Sequence, residues 1–68
     1  MGFEKVVLDK VAKIVESDNL AEFYSGTLFV ICNDNEARRI VRMLKKDFKS
    51  NVGVSRAAPH EYAFDFLA

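Results

Sequence analysis

The segment "EYAFDF" (residues 61–66) decides the fold of this 68-residue chain. Its aromatic side chains occupy every second position, at Tyr62, Phe64 and Phe66. Successive residues of a β-strand face opposite sides of the sheet, so the three rings share one face while Asp65 lies on the other. Burying an unpaired carboxylate costs several kcal/mol, whereas burying an aromatic ring gains roughly 1.5–3 kcal/mol. We therefore predict that the rings pack into the core and that Asp65 lies on an open face.

Two other segments have the apolar periodicity of amphipathic helices. Residues 3–17 show the i, i+4, i+8, i+11, i+12 spacing of one helix face, and "SDN" (17–19) predicts the end of this helix. A second helix is predicted to begin at Asn33, which forms a capping-box pattern with Glu36, and to run to about Phe48. The expected buried positions are Phe3, Val7, Val11, Ile14 and Val15 in the first helix, and Ala37, Ile40, Val41, Leu44 and Phe48 in the second.

Three short segments are typical of strands. "TLFVIC" (27–32) is continuous, β-branched and aromatic, which predicts a strand covered on both faces. "VGVSRA" (52–57) and "EYAFDFL" (61–67) predict two further strands, with a turn at "APH" (58–60) between them. The three segments thus supply a sheet of at least three strands.

The segment "LAEFY" (20–24) allows two interpretations. In the first, Ser25 and Gly26 form a two-residue hairpin turn that joins it to the "TLFVIC" strand. In the second, "LAEF" is a helical turn capped by Asp18. The number of strands, three or four, depends on which interpretation holds.

The order α-(β)-β-α-β-β restricts the topology. After the second helix the last strand can fold back as a hairpin and lie between the two others, as in the split β-α-β half of a ferredoxin-like fold. We predict an α+β fold in a single domain, residues 1–68, with a small, mainly antiparallel sheet of three or four strands and two helices packed on one face. "LAEFY" is then expected to pair outside "TLFVIC". The opposite face of the sheet stays open.

Two of these segments resemble known motifs. "LFVICN" (28–33) and "HEYAFDFL" (60–67) resemble the first-strand and third-strand motifs of RNA-recognition-motif domains. The resemblance implies stacking of RNA bases on Tyr62 and Phe64. Here, however, one carboxylate replaces the glycine of the third-strand motif, and another replaces its inward-pointing valine. The alternation therefore favours rings packed under the helices over an RNA-binding surface.

The second helix concentrates positive charge, although ten basic and ten acidic residues leave the chain without net charge. Six of the ten basic residues lie in "ARRIVRMLKKDFK" (37–49). This run is typical of a solvent-exposed helix face whose charges interact favourably with the helix macrodipole. Alternatively, it could bind the phosphate backbone of a nucleic acid or an acidic partner surface. The stripe contains Arg38, Arg42, Lys45 and Lys49, with Arg39 and Lys46 beside it.

Cys32 is the one residue whose position is typical of a nucleophile. It immediately precedes the start of a helix, a place that lowers the pKa of a thiol, but Asp34 and Glu36 oppose the thiolate. His60, the sole histidine, follows Pro59 in a predicted turn and is expected to be an exposed polar residue. We predict that Cys32 is a small buried apolar side chain.

No sequence pattern predicts catalysis, a cofactor or a metal site. A single cysteine excludes an internal disulfide and favours an intracellular protein, and the charged N-terminus lacks the apolar run of a signal peptide or membrane span. We expect a cytoplasmic, non-enzymatic protein-interaction module that forms a homodimer or binds another protein. Its expected oligomer face contains Gly53, Ser55, Ala63 and Asp65. The alternative is a nucleic-acid-binding accessory protein that uses Arg38, Arg42, Lys45 and Lys49.

Overall fold

A computed structural model of the protein describes residues 2–15 and 21–66. The predicted helix end at 17–19, with the alternative cap at Asp18, and Leu67 lie outside these residues. Two helices and four strands follow one another in the order predicted from the sequence. They are α1 (Gly2–Ile14), β1 (Ala21–Tyr24), β2 (Thr27–Ile31), α2 (Asp34–Phe48), β3 (Gly53–Ala58) and β4 (Glu61–Asp65).

The strands form one antiparallel sheet in the order β1-β2-β4-β3. β4 lies between β2 and β3, as the split β-α-β arrangement predicted, and β1 pairs outside β2. Because β4 is antiparallel to both neighbours, β2 and β3 run in the same direction and α2 is the crossover between them. The α+β fold predicted from the sequence is confirmed.

The aromatic rings of β4 lie on the core face of the sheet, as we predicted from the cost of burying Asp65. Phe64 is completely buried, and it pairs across the sheet with Leu28, which is also completely buried. Tyr62 and Phe66, on the same face, are partly buried against the core. Asp65 lies on the opposite face, where its Cα partner is Thr27. The face under the helices is thus apolar, and the other face is open.

The helices cover one face of the sheet with apolar side chains spaced as predicted. In α1, Val7 and Val11 are completely buried, and in α2, Ile40 and Leu44 are. An ion pair between Lys10 Nζ and Asp47 Oδ2, at 3.3 Å, joins the two helices. Four residues at the edges of this layer are less buried than predicted. Ile14, Val41 and Phe48 are only partly buried, and Phe3 is 49% exposed.

Four phenylalanines close one end of the helical layer. The ring of Phe3 lies 5.5 Å from that of Phe48 and 5.7 Å from that of Phe66, both in edge-to-face geometry. Phe23 in β1 completes the cluster, 5.5 Å from Phe66 and 6.4 Å from Phe3. Such ring pairs contribute about 0.5–1.5 kcal/mol each beyond the burial of area. The cluster thereby connects both helices to β1 and to the end of β4. Phe3 contributes to it through three ring contacts, although its side chain is half-exposed.

Ser25 and Gly26 form the hairpin turn and Ala21–Tyr24 is a strand, so the helical alternative is wrong for the described residues 21–23. Both turn residues have positive φ, 52° at Ser25 and 81° at Gly26. Two consecutive left-handed residues are the condition for a type I′ turn, whose twist matches the strands that it joins. The left-handed conformation costs a serine roughly 1–2 kcal/mol. Pairing of β1 with β2 offsets that cost.

The prediction that β2 is covered on both faces is wrong for the described residues. Leu28 and Val30 are buried under the helices, but Phe29 and Ile31 lie on the open side of the sheet. Ile31 is 36% exposed. The uninterrupted apolar run of β2 therefore reflects one core face and one exposed apolar face.

The second helix begins and ends as its sequence indicates. Asn33 Oδ1 accepts a hydrogen bond from the Glu36 amide at 2.8 Å, and Glu36 Oε1 accepts one from the Asn33 amide at 3.0 Å. This reciprocal pair is the predicted capping box. At the other end Lys49 adopts a left-handed conformation, with φ 54°, and its amide bonds to the carbonyl of Leu44. Lys49 therefore lies beyond the regular helix.

Candidate functional site

The uncovered side of the sheet is the first candidate site, and the strand register defines its rows. One row runs across all four strands from Glu22 through Phe29 and Ala63 to Ser55. We call the whole surface the open sheet face. It comprises Glu22, Tyr24, Thr27, Phe29, Ile31, Gly53, Ser55, Glu61, Ala63 and Asp65.

The register brings together the four residues expected at an oligomer face. Ser55 pairs with Ala63, and Gly53 pairs with Asp65, so all four residues lie on the open sheet face, where Ala63 is buried between its neighbours. Their role in oligomerisation stays a prediction. Sequence reasoning did not place Tyr24 here, because it left open whether β1 exists. The Ser25-Gly26 pair, a two-residue hairpin-turn sequence, was the available signal for that strand.

The centre of the open sheet face is apolar. Phe29 is half-buried beside the short side chain of Ala63, and Ile31 is 36% exposed. Tyr24, near the hairpin turn, is 70% exposed, the largest value among the exposed large hydrophobic side chains. Contiguous exposed apolar residues with a polar surround are typical of interaction surfaces. The open sheet face has this composition.

The charged residues of the open sheet face are acidic. Glu22 lies on β1, Glu61 and Asp65 lie on β4, and none of the strand residues on this face is a lysine or an arginine. Three carboxylates around an apolar centre give the face a negative potential. Such a surface repels a phosphate backbone and attracts a cationic partner.

The opposite charge lies on α2. Arg38, Arg42 and Lys45 are all exposed on this helix, as the sequence pattern indicated. The fourth residue of the predicted stripe, Lys49, is exposed but belongs to the left-handed C-cap, so it does not continue the helical stripe. We call Arg38, Arg42 and Lys45 the basic helix surface. The molecule therefore has no net charge, yet it presents an acidic sheet face and a basic helix surface.

A groove between α2 and β3 adjoins the basic helix surface. It has a volume of about 480 Å³. Val41, Val54 and Tyr62 supply an apolar lining, and Val54 is 45% exposed. The charged side chains of Arg38, Arg42 and Asp34 line the same groove. We call it the α2–β3 groove.

Arg56 links the two elements that border the α2–β3 groove. Its guanidinium carbon lies 5.4 Å from the ring centroid of Tyr62, and its Nη2 atom lies 3.5 Å from Asp34 Oδ1 at the start of α2. The ring of Tyr62 thus has one cationic contact already. Sequence reasoning missed the groove, because it forms only when the β3–β4 pairing brings Val54 and Arg56 beside the helix.

The backbones of Cys32 and His60 are joined by a hydrogen bond that no sequence pattern indicated. The amide of Cys32 donates a hydrogen bond to the carbonyl of His60 at 2.9 Å. His60 is exposed, and Cys32 is buried, as predicted. Burial, followed by the charges of Glu36 and Asp34, raises the pKa of the Cys32 thiol to about 11. The thiol therefore stays protonated at neutral pH.

Comparisons of the chain with protein-family models, with curated proteins and with solved structures found no match. Within residues 2–15 and 21–66, no helix combines the length and the apolar character that crossing a bilayer requires. In the same ranges, no three His, Cys, Asp or Glu side chains are grouped so that they could hold a metal ion.

Cys32 gives a direct prediction for this part of the structure. The thiolate is the reactive form, so raising the pKa from 9.0 to about 11 lowers the thiolate fraction at about pH 8 by about 100-fold. We expect Ellman's reagent to label the native protein at least that much more slowly than the same protein in urea. Stopped-flow absorbance measures both rates. Equal rates in the two states would contradict the burial of the thiol.

Proposed function

We propose that this protein is a non-enzymatic interaction module that self-associates through its open sheet face. The observation that supports the proposal is the set of apolar side chains on the side of the sheet opposite the helices, where Tyr24 and Ile31 are exposed and Phe29 is half-buried. An antiparallel sheet that only meets water usually presents polar side chains on its outer face. The open sheet face instead combines these apolar side chains with the carboxylates of Glu22, Glu61 and Asp65.

The size of the domain gives a second reason. A domain of this length buries only about 60% of the surface that its unfolded chain exposes, so its stability is marginal. Each apolar side chain that association removes from water contributes roughly 25 cal/mol per Å². Covering Phe29 and Ile31 therefore stabilises the fold and the assembly together.

The proposal predicts that polar substitutions on the open sheet face weaken self-association. Thr keeps a high strand propensity, so a Phe29→Thr, Ile31→Thr double variant removes apolar contact area while keeping β2 intact. We expect the wild-type protein to associate between about 10 µM and about 1 mM, as suits a small interface. Sedimentation equilibrium should show a dissociation constant at least about tenfold higher for the double variant.

The matched control is Val6→Ala on α1. Val6 is 44% exposed, comparable to Ile31, but it lies on a helix away from the sheet. This variant should associate like the wild-type protein. A wild-type mass that stays monomeric up to about 1 mM would overturn the proposed self-association. Equal weakening by Val6→Ala would show that exposed apolar area in general, and not the open sheet face, is responsible.

A second candidate function is the binding of single-stranded nucleic acid, and the α2–β3 groove is the observation that favours it. The ring of Tyr62 is only partly buried there, and Arg38 and Arg42 line the same groove. An aromatic ring beside arginines is suited to stacking one base and contacting the adjacent phosphates. Phe64, in contrast, is fully buried and cannot stack a base. The site therefore offers one ring where the RNA-recognition-motif resemblance implied two.

This second candidate predicts salt-sensitive binding of a fluorescent single-stranded oligonucleotide. Fluorescence anisotropy should show an affinity that falls steeply with salt, and a Tyr62→Leu variant should bind about 5- to 100-fold more weakly. A Tyr24→Leu variant, which changes the ring on the open sheet face, is the matched control. The absence of binding at low salt would remove this candidate and leave the interaction module.

A further inference from the structure

We propose that the self-association is head-to-tail: the open sheet face of one copy docks on the basic helix surface and the α2–β3 groove of the next. This inference rests on the proposed function, and it specifies which surface the open sheet face binds. Its basis is the separation of charge in a molecule whose net charge is zero. The occupant of the open sheet face is thus a second copy, approached through α2.

A symmetric dimer is disfavoured by the charges of the open sheet face. In a two-fold symmetric dimer, the same surface of both protomers forms the interface. Glu22, Glu61 and Asp65 of one protomer would then approach the same three carboxylates of its partner, and no strand residue on the face is basic. Like charges that meet across an interface oppose association. The homodimer expected from the sequence therefore has an electrostatic cost that a head-to-tail contact avoids.

The surface on α2 is complementary in both charge and chemistry. Arg38 and Arg42 are cationic where the open sheet face is anionic, and the exposed Val54 and the partly buried Val41 offer apolar area to Tyr24. Arginine also packs its aliphatic stem and its guanidinium plane against aromatic rings. The open sheet face and the surface on α2 are therefore complementary to each other, whereas neither surface is complementary to the same surface of a second protomer.

The dimensions of the two surfaces agree. Four strands at about 4.8 Å spacing make a face about 19 Å wide, and five residues at about 3.3 Å give a height of about 17 Å. The α2 helix has 15 residues and is therefore about 22 Å long. The resulting footprint of roughly 300 Å² is well below the roughly 800 Å² per partner of a standard interface. The contact is accordingly weak and dissociates on dilution.

A head-to-tail contact also predicts how the assembly grows. Each protomer uses two different surfaces, so every added copy leaves one of each free, unless the rotation between copies closes a ring. The mean mass should rise beyond that of a dimer as the concentration increases. A symmetric contact stops at two chains. The dependence of mass on concentration therefore distinguishes the two modes.

Two charge-reversal variants test the proposal. Glu22→Lys with Glu61→Lys makes the open sheet face basic, and Arg38→Glu with Arg42→Glu makes the basic helix surface acidic. Each variant alone carries like charges on both surfaces, so we expect each to associate at least about tenfold more weakly than the wild-type protein. Mixing the two variants restores opposite charges at each contact. Sedimentation velocity should then show association returning in the mixture.

Matched controls carry the same charge changes on α1. Glu4→Lys with Asp9→Lys matches the first variant, and Lys5→Glu with Lys13→Glu matches the second, since all four side chains are exposed on that helix. Both controls should associate like the wild-type protein. Thermal unfolding monitored by circular dichroism verifies that each variant is folded before its mass is measured.

The outcomes separate this inference from the proposed function. If Arg38→Glu with Arg42→Glu associates like the wild-type protein and the mass stops at a dimer, the head-to-tail contact is overturned while the interaction module stands. If neither the wild-type protein nor the mixture associates, both are overturned. Loss of association in each variant, with recovery only in the mixture, supports the head-to-tail contact.

Discussion

The alternation of side chains in β4 is the constraint on which the rest of the structure depends. Phe64 is completely buried under the helices, and its neighbour Asp65 must then lie on the other side of the sheet. A shift of one residue in register would bury the carboxylate and expose the rings. Since β4 pairs with both β2 and β3, its orientation sets the faces of the whole sheet. The core, the open sheet face and the separation of the two charged surfaces all follow from this one strand.

Much of this fold could be predicted because local and long-range signals agree. The period of α1 and α2, the capping box at Asn33 and the alternation in β4 each point to the observed element, and a central β4 follows from chain order. The hairpin of β1 could not be settled in advance. Its turn requires Ser25 to adopt a left-handed conformation, which serine does not favour. The pairing of β1 with β2 offsets the free-energy cost of that conformation. Tertiary contact overrode local preference at this position.

The candidate sites were less predictable than the fold. Gly53, Ser55, Ala63 and Asp65 were placed on one face because strand alternation alone decides it. The α2–β3 groove depends instead on how far the helical layer extends over β3, and no sequence pattern encodes that distance. The basic stripe of α2 was evident in the sequence, but the acidic face was not, because its three carboxylates lie on two strands that are far apart in the chain and are not neighbours in the sheet. Only the fold shows that the acids of β1 and β4 and the bases of α2 lie on different surfaces.

The central claim is that two different surfaces of the protein meet when it associates. The most direct measurement is a dilution series of ¹H–¹⁵N correlation spectra, from about 1 mM to about 20 µM, a range suited to a weak contact. The account predicts concentration-dependent shifts at amides of the open sheet face, such as Phe29 and Ile31, together with shifts at Arg38 and Arg42 on α2. Shifts confined to the open sheet face, or spectra that do not change with concentration, would contradict it.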